Sequence, residues 1–263
     1  MAPFFREAGS GAGVVCLHSN ASTSGQWRAL METLSPRFHV LAADSYGAGK
    51  SPPWPTDRTI WLRDEVALLE PVFKRAGERF SIVGHSYGAG IALIAALAHP
   101  ERVRALALYE PTLFSLVDAR SPRPNDVDGI REVAERGVQA IRAGDPAAAA
   151  RGFIDFWMGG KVWEKMPPER QAPIVASCLN MGGWANALLR EPTPLESFAG
   201  IQVPVLYMVG KRSPLSSRAV AQVLTKVLPR VEVVELDGLG HMGPITHPDA
   251  VNAQIVRFLG QHR

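Results

Sequence analysis

The most constraining feature of this chain is a serine flanked by glycines, set between a short apolar run and a long apolar helix pattern. Residues 80–83 read Phe-Ser-Ile-Val and run into Gly84-His85-Ser86-Tyr87-Gly88. A helical pattern then continues from Tyr87 to His99, where Pro100 closes it. The turn from strand to helix is so tight that a Cβ at either flank would clash, which accounts for glycine at both 84 and 88. Ser86 is thereby thrust off the strand end, above a helix N-terminus whose free N–H groups carry partial positive charge. A glycine-rich turn with an incidental serine would give the same five letters. In a strand–turn–helix setting with partners elsewhere, however, G-x-S-x-G marks a nucleophilic serine.

The rest of the chain repeats the strand–helix alternation. Strand-like runs lie at Gly13–Leu17, His39–Ala43, Ser81–Val83, Val103–Tyr109, Val205–Val209 and Val231–Leu236. Several are almost continuously apolar, as expected of strands covered on both faces. Helical patterns separate them at Gln26–Leu34, Ile60–Arg75, Tyr87–His99, Ser216–Val227 and Asp249–Leu259. Within the second, Leu62, Val66, Leu69 and Phe73 make one apolar stripe that Pro71 should kink. This rhythm predicts an α/β fold: a mostly parallel sheet with helices on both faces.

One stretch breaks the rhythm. From Leu113 to about Ser197 no strand pattern occurs, but helical candidates do (Ile130–Arg142, Ala147–Trp157, Pro168–Asn180). An inserted helical cap explains this, giving a core of 1–112 and 198–263 and a cap of 113–197. The cap holds Trp157, Trp163 and Trp184, with Phe114, Phe153 and Phe156 near them. Most of these rings are expected to pack cap against core; Phe114 and Trp157 are candidates for substrate contact.

Composition narrows the function classes. An apolar fraction of 46% is that of a globular chain with a real core. The 28 basic residues against 25 acidic ones leave a net charge of +3, with no basic run of five or more, so nothing favours nucleic acid. The longest apolar stretch, Ala89 to Ala98, is about half a membrane span. Residues Met1 to Glu7 hold no segment of signal-peptide length. The 2 cysteines, Cys16 and Cys178, cannot form a disulfide framework, and Cys16 reads as strand packing. The expectation is a soluble cytoplasmic protein, monomer or homodimer, acting on a small molecule and not on nucleic acid or membrane.

A serine nucleophile needs a base, and histidine has the suitable pKa. Of the 7 histidines, His241 is the best placed, because its loop follows the run Val231–Leu236 at a strand's carboxyl end. His39, His99 and His262 read as structural, and His247 as a helix-entry residue. The base in turn needs a carboxylate to fix its tautomer. The loop after Val205–Val209 reads Gly210-Lys211-Arg212-Ser213-Pro214 and holds no acid. Asp237 is near His241, but Asp-Gly is a turn signature. Glu110 follows Val103–Tyr109 directly. The helix after Ser86 carries the chain ~20 Å away, and the next strand brings it back ~23 Å. Glu110 therefore returns beside Ser86, one strand over, in the chain order Ser86…Glu110…His241. It could instead be a loop cap before Pro111. Oxyanion donors are expected from the Tyr87 backbone N–H and from Asn20, in the loop His18-Ser19-Asn20-Ala21-Ser22-Thr23-Ser24. That loop could also simply cap the helix beginning near Gln26.

These residues resemble the α/β-hydrolase family across essentially the whole chain. His18-Ser19-Asn20 resembles its His-Gly-x oxyanion loop, and Asp44-Ser45-Tyr46-Gly47-Ala48-Gly49-Lys50-Ser51 its Asp-x-x-Gly-x-Gly-x-Ser segment. Gly84–Gly88 is similar to the elbow and Gly240-His241 to the histidine loop. The resemblance implies an eight-stranded, mostly parallel sheet with a helical cap, and no cofactor. Two departures stand out: Ser19 replaces the usual glycine, and Ser213-Pro214 holds the place of the usual acid. In the haloalkane dehalogenases a glutamate after strand six can supply that acid, and their His-Gly-Asn-Pro loop is similar to His18-Ser19-Asn20-Ala21. Serine in place of their nucleophilic aspartate argues against dehalogenation and epoxide opening. The expected activity is hydrolysis of a small carboxylic ester, thioester or lactone. Cleavage of a carbon–carbon bond in dienoate ring-fission products and non-catalytic ligand binding are the alternatives. Ser86, His241 and Glu110 are the expected triad and Asn20 and Tyr87 the oxyanion hole, with His18, Phe114, Trp157 and Met242 as substrate-binding candidates.

Overall fold

Seven strands form one sheet: β1 (Phe5–Ala8), β2 (Ala12–Leu17), β3 (Phe38–Ala43), β4 (Phe80–His85), β5 (Val103–Tyr109), β6 (Val205–Gly210) and β7 (Val231–Leu236). The structure is a computed structural model and describes residues 2–262, so Met1 and Arg263, the outer ends of the expected core, lie outside the described residues. The strand order is β1-β3-β2-β4-β5-β6-β7. Only β1 runs antiparallel to its neighbour; the other pairings are parallel. Among the described residues the sheet thus has seven strands rather than the eight expected, because a single short strand, β1, borders β3 at that edge. It left no sequence signal: Phe-Arg-Glu-Ala is short and carries two charges.

Helices α1 (Arg28–Leu34), α2 (Leu62–Ala76) and α3 (Tyr87–Ala98) follow β2, β3 and β4. Five more, α4 (Ser115–Asp118), α5 (Asp128–Arg142), α6 (Pro146–Met158), α7 (Pro168–Cys178) and α8 (Met181–Leu189), lie between β5 and β6. Then α9 (Leu215–Leu224) follows β6, and α10 (Gly243–Thr246) and α11 (Pro248–Gln261) follow β7. The five between β5 and β6 occupy the expected cap, and we propose its limits as 113–197. No helix among the described residues is long and apolar enough to cross a membrane.

Alternation along the strands splits the core into two layers. Val14, Cys16, Val40 and Ala42 face Leu30 and Leu34 of α1 and Val251, Ile255 and Phe258 of α11. Val15, Leu17, Leu41 and Ala43 face the other way, towards Leu69 and Phe73 of α2 and Leu93 of α3. Each Val, Leu, Ile or Phe side chain among these, fully buried, contributes roughly 1.5–3 kcal/mol relative to exposure. Helix α2 continues through Pro71 to Ala76. Pro71 and Ala67, whose carbonyl loses its intrahelical donor, both lie on the exposed side, where water can serve that carbonyl.

Candidate active site

The turn between β4 and α3 is as tight as its glycines require. A Cβ on Gly84 would lie 2.6 Å from the Cα of Ala89, and one on Gly88 would lie 2.4 Å from the carbonyl oxygen of Leu17. Ser86 between them takes φ 56° and ψ −117°. Ala21 (φ 56°), Ser86 (φ 56°) and Glu110 (φ 46°) are the non-glycine residues with positive φ among the described residues. All three stand at one edge of the sheet. Such backbone costs of order 1–3 kcal/mol per residue and persists where the surroundings enforce it.

Parallel pairing of β4 and β5 aligns His85 with Tyr109. The Ser86 N–H donates to the Tyr109 carbonyl at 2.9 Å, so Glu110 arrives beside the elbow, as the travel along α3 and β5 predicts. Ser86 Oγ lies 2.9 Å from His241 Nε2, and His241 Nδ1 lies 2.6 Å from Glu110 Oε2. All three side chains are buried. The carboxylate fixes the tautomer: Nδ1–H donates to Glu110, and Nε2 is free to accept from the Ser86 hydroxyl. Glu110 Oε1 accepts from the Gly210 N–H at 2.7 Å and from the Ser213 hydroxyl at 2.5 Å. Ser217 Oγ lies 3.2 Å from His241 Nδ1. The loop that lacks an acid is therefore not idle. It supplies two donors that hold the acid arriving from β5. Asp237, the competing carboxylate, has a side chain 85% exposed and pairs with Lys211 at 2.8 Å, away from the imidazole.

A second set of hydrogen bonds ties the loops together. The N–H and hydroxyl of Ser19 both donate to Gln26 Oε1 at 3.2 Å. Gln26 Nε2 donates to His85 Nδ1 at 3.1 Å, and His85 Nε2 donates to the His241 carbonyl at 2.8 Å. The Tyr109 hydroxyl holds the adjacent Gly240 carbonyl at 2.7 Å. Burial, and then the neighbouring His241, keep the pKa of His85 well below the ordinary histidine value, so it stays neutral in this chain. The serine in place of glycine at 19 thus has a role: its hydroxyl anchors the loop that carries Asn20.

His18 does not line the cavity beside Ser86. Its Nδ1 donates to the Ser19 carbonyl at 2.7 Å, and its Nε2 accepts from the Ser45 N–H at 3.1 Å. Both ring nitrogens are spent on backbone, which corrects its expected part in substrate binding; it fastens the loop that carries Asn20 to the β3–α2 segment. Burial lowers its pKa, consistent with a neutral ring. Met242 is corrected too: it lines an outer cleft with Arg212 and His247, on the other side of Trp157. Phe114, Trp157 and Asn20 do meet Ser86 in one small cavity. Its other walls are Thr112, Ile130 and Ala134 of α5, Phe153 of α6, and Met181, Trp184, Ala185, Leu188 and Leu189 from α8 and its end. Asn20, Ser86 and Thr112 are the polar members, and no charged side chain lines it among the described residues. Tyr87 opens α3, where first-turn N–H groups lack intrahelical acceptors.

The supports Gln26, His85, Ser213 and Ser217 went unread in the sequence. A local signal existed only for Ser213, in the acid-free loop.

Comparison with known proteins follows the same lines. The model of the alpha/beta hydrolase fold family matches residues 14–248. The chain is 26% identical over 250 residues to a pimeloyl-(acyl-carrier protein) methyl ester esterase of Yersinia enterocolitica, covering 94% of this chain and 93% of that one. It is 27% identical over 262 residues to a 2-(acetamidomethylene)succinate hydrolase of Mesorhizobium japonicum, covering 97% and 90%. An alpha/beta hydrolase from Sphaerobacter thermophilus superposes with a TM-score of 0.74 at 26% identity, covering 98% of this chain and 96% of that one. A buried serine, histidine and glutamate in hydrogen-bonded sequence, on this sheet and with these relatives, lead to one conclusion: the chain is a hydrolase and belongs to the alpha/beta hydrolase fold family.

Proposed function

We propose that this hydrolase cleaves a small, uncharged carboxylic ester, thioester or lactone through an acyl-enzyme on Ser86. The observation that carries the reading is the continuous pair of hydrogen bonds from Ser86 through His241 to Glu110. Ser86 Oγ attacks the carbonyl carbon while His241 Nε2 takes its proton, and Glu110 stabilises the imidazolium so formed. The carbonyl oxygen becomes an oxyanion, held by the Tyr87 and Asn20 N–H groups. His241 then returns the proton to the leaving alcohol or thiol as the C–O or C–S bond breaks. Water, activated by His241, releases the acid and restores Ser86.

The lining of the cavity supports an apolar acyl group. A carboxylate buried there would meet no cation and would remain largely unpaid for in lost hydration. That weighs against dienoate substrates of carbon–carbon hydrolases, and against a succinate like that in the name of the Mesorhizobium relative. The esterase name of the Yersinia relative supports the ester choice. The ordered triad, with both departures at Ser19 and Ser213 accounted for, supports catalysis over passive binding.

The test is a fluorophosphonate probe followed by a panel of p-nitrophenyl esters of increasing acyl length. The expected result is labelling of the wild-type protein, none of Ser86→Ala, and turnover of short or aromatic acyl esters with rejection of acyl groups bearing a carboxylate. A wild-type protein that takes no label at Ser86 would sink the proposal.

A further inference from the structure

The aromatic ring closest to the base belongs to the cap. Trp157, in α6, has its ring centroid 3.9 Å from that of His241, with the two planes tilted by 30°. This is a face contact, much closer than the neighbouring ring pairs. Phe156 abuts the indole edge-on at 4.9 Å, Phe153 edge-on at 6.2 Å, and Phe114 lies parallel to it at 6.4 Å. The indole is 6% exposed and His241 1%, so water is excluded between them. Trp157 also lines both the inner cavity with Ser86 and the outer cleft with Met242, and so forms the wall between the two.

We infer that Trp157 is a positioning residue for His241: its indole face orients the imidazole and favours the imidazolium that forms as Ser86 attacks. The inference rests on His241 serving as the base. An indole face is the best π-partner for a cation, and the effect is largest where water is excluded. The other groups around the imidazole are Glu110 from the end of β5, His85 from the elbow at 5.3 Å between ring centroids, and Ser217 from α9. Glu110 acts in the plane of the ring and Trp157 on its face, so the two contributions are separate. Arg212 and His247 lie beyond the indole, in the outer cleft. The base is thereby completed by the cap: displacement of α6 removes one face of its surroundings.

Substitution separates this from plain packing. Leucine keeps an apolar cover over His241 but has no π-face, whereas phenylalanine retains one. In Trp157→Leu the acid limb of the kcat/KM profile should move down by about one pH unit, and the plateau should fall about tenfold. In Trp157→Phe the limb should stay near its wild-type position. Equal shifts in both variants, or no shift with leucine, would overturn the inference. Should Trp157→Leu fail to fold, fluorescence serves instead. Protonated imidazole quenches a stacked indole, so wild-type emission should carry a pH-dependent component with the midpoint of that limb. The component should vanish in Trp157→Phe and in His241→Asn; its persistence in either overturns the inference. Fluorophosphonate labelling of wild-type Ser86 tests the underlying hydrolase reading independently.

Discussion

Glu110 receives donors on both of its oxygens, and this decides how its amide analogue must behave. Oε1 faces the Gly210 N–H and the Ser213 hydroxyl, and Oε2 faces His241 Nδ1. In Glu110→Gln the two donors on the far side require the amide oxygen, which turns the NH₂ group towards the imidazole. His241 must then accept at Nδ1 and carry its proton on Nε2, the wrong tautomer for taking one from Ser86. Steady-state turnover of a p-nitrophenyl ester should fall by ~10²–10⁴ with the fold unchanged. Asp237→Asn, which disturbs only an exposed pair with Lys211, should stay within about twofold of wild type. The reverse outcome would move the acid to Asp237. That Ser86, His241 and Glu110 come together was legible in sequence because each is tied to an element end, where travel along helix and strand can be added up. Gln26, His85 and Ser217 were not: the bonds Gln26–His85, His85–His241 and Ser217–His241 span 24 to 156 positions and leave no periodic trace. His18 misled for the same reason: its type was informative, its partners were not.

At the scale of elements, the cap seats on the core through a close contact. A Cβ on Gly183, in α8, would lie 2.5 Å from ring atoms of Trp54, in the segment between β3 and α2. The indole is rigid and cannot yield cheaply. Gly183→Ala should therefore lift α8 from the core and destabilise the fold by about 1–3 kcal/mol, as overpacking does. Urea unfolding measures the loss, and limited proteolysis should cut the cap faster than in wild type. An unchanged midpoint and digestion pattern would show that the seat is looser than its geometry implies. Helix α8, like the single-turn α4 and α10, is absent from the sequence reading. Its start, Met-Gly-Gly-Trp, holds two glycines that argue against a helix on propensity; at 183, contact with Trp54 leaves room for nothing larger. By contrast α5, α6 and α7 were legible as helical patterns, and six of the seven strands as strand-like runs, several of them almost continuously apolar. The exception, β1, is an edge strand whose pairing with β3 supplies what its composition does not.

For the molecule as a whole, stability should depend on pH through a carboxyl group far from any solvent. Glu65 is fully buried, accepting from the Tyr46 N–H at 3.2 Å and the Tyr87 hydroxyl at 3.0 Å. Burial raises its pKa from 4.5 to about 7, outweighing both hydrogen bonds. The folded state thus prefers the protonated form. Its contribution is fully present below pH ~4.5 and is lost as pH rises towards 7, a change of about 3 kcal/mol. Glu65→Gln lacks the titration; its amide oxygen can accept from the Tyr46 N–H, and its NH₂ group then faces the Tyr87 hydroxyl, which turns from donor to acceptor. Urea unfolding at pH 5 and pH 8 should find the variant gaining on wild type by about that amount between the two. A constant difference would mean that Glu65 does not titrate in this range. Seen at this scale, the one-domain α/β plan and its helical insertion were readable from where the strand rhythm stops. The count of strands was not, because it depends on how the sheet's edge is finished.

The hydrogen bonds from Ser19 through Gln26 and His85 to the His241 carbonyl join the loop that carries Asn20 to the loop that carries His241, so a coupling between the proposed oxyanion hole and the proposed base has a physical route. Linkage between two sites is reciprocal. If negative charge gathering near Asn20 firms the Ser19 end, the same free energy must be returned as tighter placement of the imidazole, and a base disturbed at its own end must weaken oxyanion capture by an equal factor. The two halves of the reaction would then show cooperativity within a single turnover, carried by an uncharged amide and an imidazole that takes no proton.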